Sequence, residues 1–480
     1  MALLPFILSL FAFLLHPHNG VHCYGDKQLL NLQHHFQWNH NSNVLASTCL
    51  PRKSRKEKGA TVLEMKHRDY CYGGRERDRD WNKLLQKRLI LDDLRVQSLQ
   101  ARIRKNMAPA DTQDVSAARI PLTSGVELGT LNYIVKVEIG GRNMTVIVDT
   151  GSDLTWVQCQ PCKSCYDQKE PLFNPSASPS YRTVSCNSFE CQSLAFATGN
   201  TGICGENPPT CNYVVSYGDG SYTRGELAHD HLNLGKTPVD NFAFGCGRNN
   251  KGLFGGASGL LGLGRSSISL VSQTSAIFGG FFSYCLPSTE SGTSGSLVFG
   301  GNSSVYNTSN PFSYTRMIPN PKLSTFYFLN LTGVSVGGVT LQDSSFGKTT
   351  TLIDSGTIIT RLPPTIYKAL KAEFQKQFSG FPSAPAFSIL DTCYNLSAYQ
   401  EVEVPTLKLQ FEGNAEMNVD ITGVFYLVKT DASQVCLALA SLTFEDDIGI
   451  IANYQQRNQR VIYDTKGSKL GFAQESCSFT

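Results

Sequence analysis

Two stretches of this chain share an order of residues that few folds can use twice: VIVDTGSDLTW, residues 146–156, and TLIDSGTIITRL, residues 351–362. Each is an aliphatic run that ends on an aspartate, followed by a hydroxyl residue, a glycine, a second hydroxyl residue and further apolar residues. A buried strand that stops at a carboxylate puts a costly charge at the edge of a core, so its neighbours must hydrogen-bond it. Glycine at the bend lets the backbone come close. One Asp-Ser/Thr-Gly triplet arises by chance in roughly one chain of this length in five, so neither copy means much alone. These are the only two such triplets, 205 residues apart. Unrelated Asx turns closing two strands would use the same residue types, but the shared apolar flanks point to two similar lobes, each supplying one carboxylate.

The rest of the chain frames that pair. With 480 residues there is room for two lobes beside processed segments. Residues 1–23 read as a signal peptide, with an apolar run from Leu3 to Leu15 and small or polar residues before a cut near Cys23, although Lys and Arg are missing from its start. No later segment is apolar for long enough to span a bilayer, so a secreted or vacuolar protein is expected. Cys23 would leave with the signal, and Cys49 and Cys71 lie in a charged leader. The remaining 12 cysteines, from Cys159 to Cys477, allow up to six disulfides. Asn143, Asn302, Asn307, Asn330 and Asn395 each begin a glycosylation sequon.

Charge divides the molecule. Residues 24–118 carry 18 Lys and Arg against 11 Asp and Glu, whereas residues 119–480 carry 24 against 28. A basic leader before an acidic body suits a nucleic-acid arm, a solvated tail, or a removable segment lying across an acidic cleft; secretion argues against the first. Within it, Leu84, Leu85, Leu89, Leu91, Leu94, Val96 and Leu99 are spaced for an amphipathic helix, and a small-residue link, MAPADTQDVSAA, follows. The mature chain is expected to start near Ile120. From there, short β-branched or aromatic runs separated by glycine turns predict an all-β architecture. The clearest helix of the mature part is residues 363–378, with Ile366, Leu370, Phe374 and Phe378 four apart.

Four separated elements together resemble the pepsin-type aspartic endopeptidases: DTGSDLTW, the hairpin SYGDGSYTRG (216–225) in the place of the family's flap, IDSGTIITRL, and the paired segments GLLGLG (259–264) and GIIANYQQRNQRVIYD (449–464). The cysteine-rich run 159–211 is similar to the insertion of the nepenthesin-like plant branch. The resemblance implies a bilobal fold with a cleft between residues 120–320 and 321–480, and a pro-segment over 24–119. It makes Asp149 and Asp354 the catalytic dyad. Thr150 and Ser355 would cross-link the two loops, Ser152 and Thr357 would hydrogen-bond the outer carboxylate oxygens, and Gly151 and Gly356 would admit the carboxylates. On the flap, Tyr217 would reach Trp156, with Gly218 and Asp219 beside the substrate. It further implies a Cys393–Cys436 bridge, and within the insertion Cys159 is expected to pair with Cys165. One departure is Ala452, where the family usually has glycine.

Two facing carboxylates can share one proton and so activate a water for peptide hydrolysis with no metal and no cofactor, an effect for which aspartic-protease dyads are themselves the standard illustration. The expected function is an acid-active endopeptidase made as a zymogen, acting on polypeptides as a monomer, held silent by its own pro-segment, and without nucleic-acid partners or a membrane span. The alternatives are a catalytically silent inhibitor or binding protein of the same fold, and a plastid nucleoid DNA-binding protease. Cys159, Cys162 and Cys165, or the His-Asp-His of 229–231, have metal-like spacing, but disulfides and a strand suit them better.

Overall fold

In a computed structural model, the structure describes residues 26–32, 50–67, 81–107 and 133–479, apart from 207–208, 218–219, 253, 289–293, 302–310, 342–345, 347–348 and 478. The signal segment, the expected mature start, Gly218, Asp219, Asn302 and Asn307 lie outside the described residues.

Each catalytic-type motif is built by the same local device. In the first half, strands Tyr133–Ile139 and Arg142–Asp149 pair antiparallel. They turn at Gly140 and Gly141, whose φ values of 52° and 74° make the two-residue hairpin that glycine permits. Val146–Asp149 then pairs in parallel with Gly259–Gly262, placing Gly262 opposite Asp149. After the motif, Trp156 and Val157 run antiparallel to that segment, and Trp156–Gln158 runs parallel to Gly245–Gly247.

The second half repeats this pattern. Val336 and Val339 flank a Gly337–Gly338 turn with φ values of 52° and 79°. Thr351–Asp354 pairs in parallel with Gly449–Ala452, which sets Ala452 opposite Asp354. Thr360–Leu362 runs parallel to Leu439–Ser441. The two halves differ where Gly262 is matched by Ala452. A Cβ at Gly262 would come 2.2 Å from the Asp153 carbonyl oxygen, whereas Ala452 is fully buried with the register intact. Each backbone N–H keeps an equivalent bond, Gly262 to Thr155 Oγ1 at 3.2 Å and Ala452 to Thr360 Oγ1 at 3.0 Å.

The fold is mostly strand, with few short helices from Tyr133 onward. A 16-stranded sheet carries strands from both halves, because Gln459–Asp464 returns to pair with Phe281–Cys285 and Lys469–Gln474 with Ser313–Arg316. An eight-stranded sheet belongs to the second half. Helix Pro364–Gln377 buries Ile366, Leu370 and Phe374, and Phe378 just beyond it, as the spacing predicted, together with Tyr367. No helix among the described residues is long and apolar enough to cross a membrane.

Among the described residues, twelve cysteines form six disulfides: Cys159–Cys246, Cys162–Cys165, Cys186–Cys204, Cys191–Cys211, Cys285–Cys477 and Cys393–Cys436. The expected Cys159–Cys165 pairing is therefore corrected. Cys159 N–H donates to Gly247 O at 2.8 Å, because the parallel pairing of Trp156–Gln158 with Gly245–Gly247 carries it to Cys246. That leaves Cys162 and Cys165 to close a small loop on each other.

The basic leader is folded onto the body. Lys27–Asn31 pairs with Glu401–Pro405. The hairpin Ser54–Glu57 and Ala60–His67 adds to the large sheet through Gly295–Phe299, and Lys66 and His67 reach Ile134 and Tyr133. Helix Trp81–Met107 follows. Its apolar stripe buries Leu85 and Leu89 with Ile358, Ile359 and Tyr426, and Val96, Leu99 and Ile103 with Phe326, Phe328 and Ile450. That burial, at about 25 cal/mol per Å², is what makes a charged leader adhere rather than trail in water.

Candidate active site

The two motif loops meet base to base. Thr150 N–H donates to Ser355 Oγ at 3.1 Å and Ser355 N–H to Thr150 Oγ1 at 2.9 Å, the reciprocal cross-link expected of these hydroxyls. Asp149 and Asp354 stand side by side at this junction, both buried. Each is oriented by the N–H two residues on, Gly151 to Asp149 Oδ1 at 2.9 Å and Gly356 to Asp354 Oδ1 at 2.8 Å. The glycines act crosswise. A Cβ on Gly356 would lie 2.4 Å from Asp149 Oδ1, and one on Gly151 would lie 2.6 Å from Asp354 Oδ1. Gly356→Ala is therefore expected to push the carboxylates apart and lower kcat/KM about 100-fold, the scale of a 1 Å misplacement. Peptide turnover by a variant with an unchanged circular-dichroism spectrum checks this.

The hydroxyl support is unequal. Thr357 Oγ1 donates to Asp354 Oδ2 at 2.6 Å. The matching bond from Ser152 to Asp149 is not made, and Ser152 Oγ and Asp149 Oδ2 are both buried without a partner. Asp149 is engaged through Oδ1 instead, by Gly151 and by a cation from the leader. On the flap, Trp156 Nε1 donates to Tyr217 Oη at 2.8 Å, and Trp156 meets Phe254 edge-on at 4.9 Å.

That cation is Arg95 of the leader helix. Its Nη2 donates to Asp149 Oδ1 at 2.9 Å and to Asp354 Oδ2 at 3.0 Å. Its Nε reaches Asp354 Oδ2 at 3.2 Å and Thr357 Oγ1 at 3.3 Å. Burial opposes ionisation of Asp354, but the Arg95 charge, the Thr357 hydroxyl and the Gly356 N–H outweigh it and hold that carboxyl below the usual range. For Asp149 burial prevails over Arg95, and Asp354 adds to it, so its carboxyl is raised. Nearby Asp153 is pushed up to about 7 by burial, which the Ser266 N–H bond at 2.7 Å only partly offsets.

Further contacts lay the helix across the cleft. Asp92 Oδ1 accepts from Ile358 N–H at 2.6 Å, and its Oδ2 accepts from Ile359 N–H at 3.2 Å and Arg361 Nη2 at 3.1 Å. Gln100 exchanges two bonds with the backbone of Ile448, at 2.6 Å and 3.0 Å. Arg102 Nη2 donates to the carbonyl oxygens of Phe196 and Ala197 on the opposite wall. Sequence reasoning missed Arg95, Asp92, Gln100 and Arg361. Arg88, Asp92, Arg95 and Arg102 fall within or beside the apolar stripe Leu85, Leu89, Val96, Leu99 and Ile103, and polar residues on a buried face are the signal that could have singled them out.

Other candidates separate from the site. His229 and His231 lie on strand Tyr222–Leu234, facing Glu190 and Asp240. Asp230 between them accepts from Ser178 at 3.0 Å. Asn143 and Asn395 are exposed and Asn330 is half-buried.

Comparison with known proteins agrees with this geometry. A family model described as xylanase inhibitor N-terminal matches residues 133–301, and its C-terminal counterpart matches residues 326–474. An aspartyl protease family protein of Arabidopsis thaliana is 43% identical over 396 residues, covering 81% of this chain and 82% of its own. The chain belongs to the plant pepsin-type aspartic proteases. Within that family, aspartic proteinase nepenthesin-1 of Nepenthes gracilis is 34% identical, covering 74% of this chain and 81% of its own. Two solved structures share the fold of this family member at low identity. They are edgp (TM-score 0.57, 20% identical, covering 72% of this chain and 92% of that one) and basic 7S globulin from soybean (TM-score 0.57, 19%, 73% and 95%).

Proposed function

We propose that the chain is an aspartic endopeptidase made as a zymogen, in which Arg95 silences the dyad until acid releases the leader. The observation that carries this reading is the single guanidinium nitrogen hydrogen-bonded to both Asp149 and Asp354. Once the helix leaves, the two carboxylates face each other without a countercharge and share one proton. The ionised partner takes a proton from water while the protonated one hydrogen-bonds the scissile carbonyl, and the pair titrates jointly. Both aspartates, the Thr150–Ser355 cross-link and the Trp156–Tyr217 bond are in place, which supports proteolysis over the silent-relative alternative.

The matured chain should cleave an unfolded protein with a bell-shaped, acidic pH dependence, because an unperturbed aspartate titrates near about 3.9 and coupling moves the two steps to either side. Pepstatin, whose hydroxyl mimics the tetrahedral intermediate, should inhibit; chelators and serine- or cysteine-directed reagents should not. An assay from pH 2 to 8 with each inhibitor decides. An optimum near neutrality, or sensitivity to a chelator but not to pepstatin, overturns the reading. The signal-like start and the six disulfides support passage through an oxidising secretory route to the apoplast or vacuole, with action as a monomer, since one chain supplies both carboxylates. A tagged protein found in the plastid would contradict that route.

A further inference from the structure

The leader helix fills a second receptor in the cleft, one that the dyad chemistry does not require. Asp92 is fully buried and its carboxylate is held by three donors from one short segment of the body, Ile358 N–H, Ile359 N–H and Arg361 Nη2. Arg361 is itself only 1% exposed. Its guanidinium also donates to Ile359 O at 2.8 Å and lies 3.8 Å from a second leader carboxylate, Asp93. Among the described residues, every carboxylate paired with Arg361 therefore belongs to the leader. Removing the helix strips this arginine and two backbone donors of their partner at once. It leaves a bidentate carboxylate site on the wall of the cleft, built into the loop that also carries Asp354. A guanidinium beside two parallel N–H groups matches the two oxygens of a carboxylate in geometry and charge.

Resting on the proteolytic reading above, we propose that Arg361, with the Ile358 and Ile359 N–H groups, is a specificity-determining subsite that selects substrates bearing Asp or Glu close to the cleaved bond, and that Asp92 stands in for that side chain in the zymogen. The position follows from the helix. Asp92 lies three residues from Arg95, about 4.5 Å along the axis, while an extended substrate advances about 3.3 Å per residue. The acidic side chain then sits one or two residues from the scissile bond.

The test is a set of peptides that share one cleavage site and carry Glu or its neutral isostere Gln at each of four positions on either side, assayed with the matured enzyme. Hydrogen bonds to a charged group predict a kcat/KM ratio for Glu over Gln of about 10 or more at pH 5, confined to one position. The ratio should fall toward one at pH 3, where a free glutamate, titrating near about 4.3, is protonated. Arg361→Gln should bring the pH 5 ratio to about one, and Arg361→Glu should shift the preference toward Lys at the same position. Because Arg361→Gln leaves Asp92 buried without its cation, the double variant Asp92→Asn/Arg361→Gln removes both charges together and matures to the same enzyme. A ratio near one in the wild type, or a ratio that survives Arg361→Gln, overturns the subsite while proteolysis stands. Cleavage of no peptide in the set overturns the proteolytic reading and the subsite with it.

Discussion

Asp149→Asn and Asp354→Asn are each expected to lower peptide turnover about 10⁴-fold, the scale of removing one member of a catalytic unit, in a chain that still folds. The exchange is nearly isosteric and keeps an oxygen to accept the Gly151 or Gly356 N–H. It removes the carboxyl that must hold or take the shared proton. The two effects should not add, because the pair acts as one unit. Near-wild-type turnover by either variant would mean that the chemistry lies elsewhere; turnover by the acid-treated chain, with folding followed by circular dichroism, is the check.

Arg95→Leu should unlock the leader at a pH where the wild-type chain is silent. Deleting one partner of a buried charge group costs about 3–5 kcal/mol, which corresponds to roughly 100-fold or more in the docking equilibrium. The expected result is cleavage of a quenched peptide by the unprocessed variant near pH 6, with the wild-type chain inactive there until acidified. Latency equal to that of the wild type would show that Arg95 is not the lock.

The sign of the pH dependence follows from the dyad. Asp354 is depressed while the helix is docked, so its contribution to docking is complete above the ordinary carboxyl pKa of about 3.9 and is lost as the pH falls through its docked value. Asp92 works in the opposite direction. Burial raises its carboxyl despite Arg361 and the two N–H groups, so the docked form takes up a proton more readily than a free helix would, and it does not drive release in acid. Asp149, raised by burial in the docked state, likewise does not drive release, so on the proposed reading the acid-sensitive contact is that of Arg95 with Asp354.

Much of the site could be read from short words in the sequence because its geometry is local. A strand, an aspartate, two hydroxyls and a glycine within four residues form the loop, and doing so twice places one loop in each lobe. The cross-link of Thr150 and Ser355 and the bond from Trp156 to Tyr217 follow from those words together with the family resemblance. The all-β architecture came from strand periodicity and glycine turns, which also depend on near neighbours.

What the sequence could not decide is which distant groups meet. Cys159 and Cys246 are 87 residues apart, and only the parallel pairing of Trp156–Gln158 with Gly245–Gly247 brings them together. The leader holds 18 Lys and Arg, all alike as charges in the sequence. Docking of one amphipathic face singles out Arg95 for the dyad and Asp92 for Arg361, because a rigid helix with its apolar side buried fixes where every polar residue on that side must point. Composition and motif determined that a basic leader and a two-aspartate cleft exist in this protein; tertiary packing, through burial and register across hundreds of residues, decided which leader cation meets the two aspartates and which arginine of the body receives Asp92.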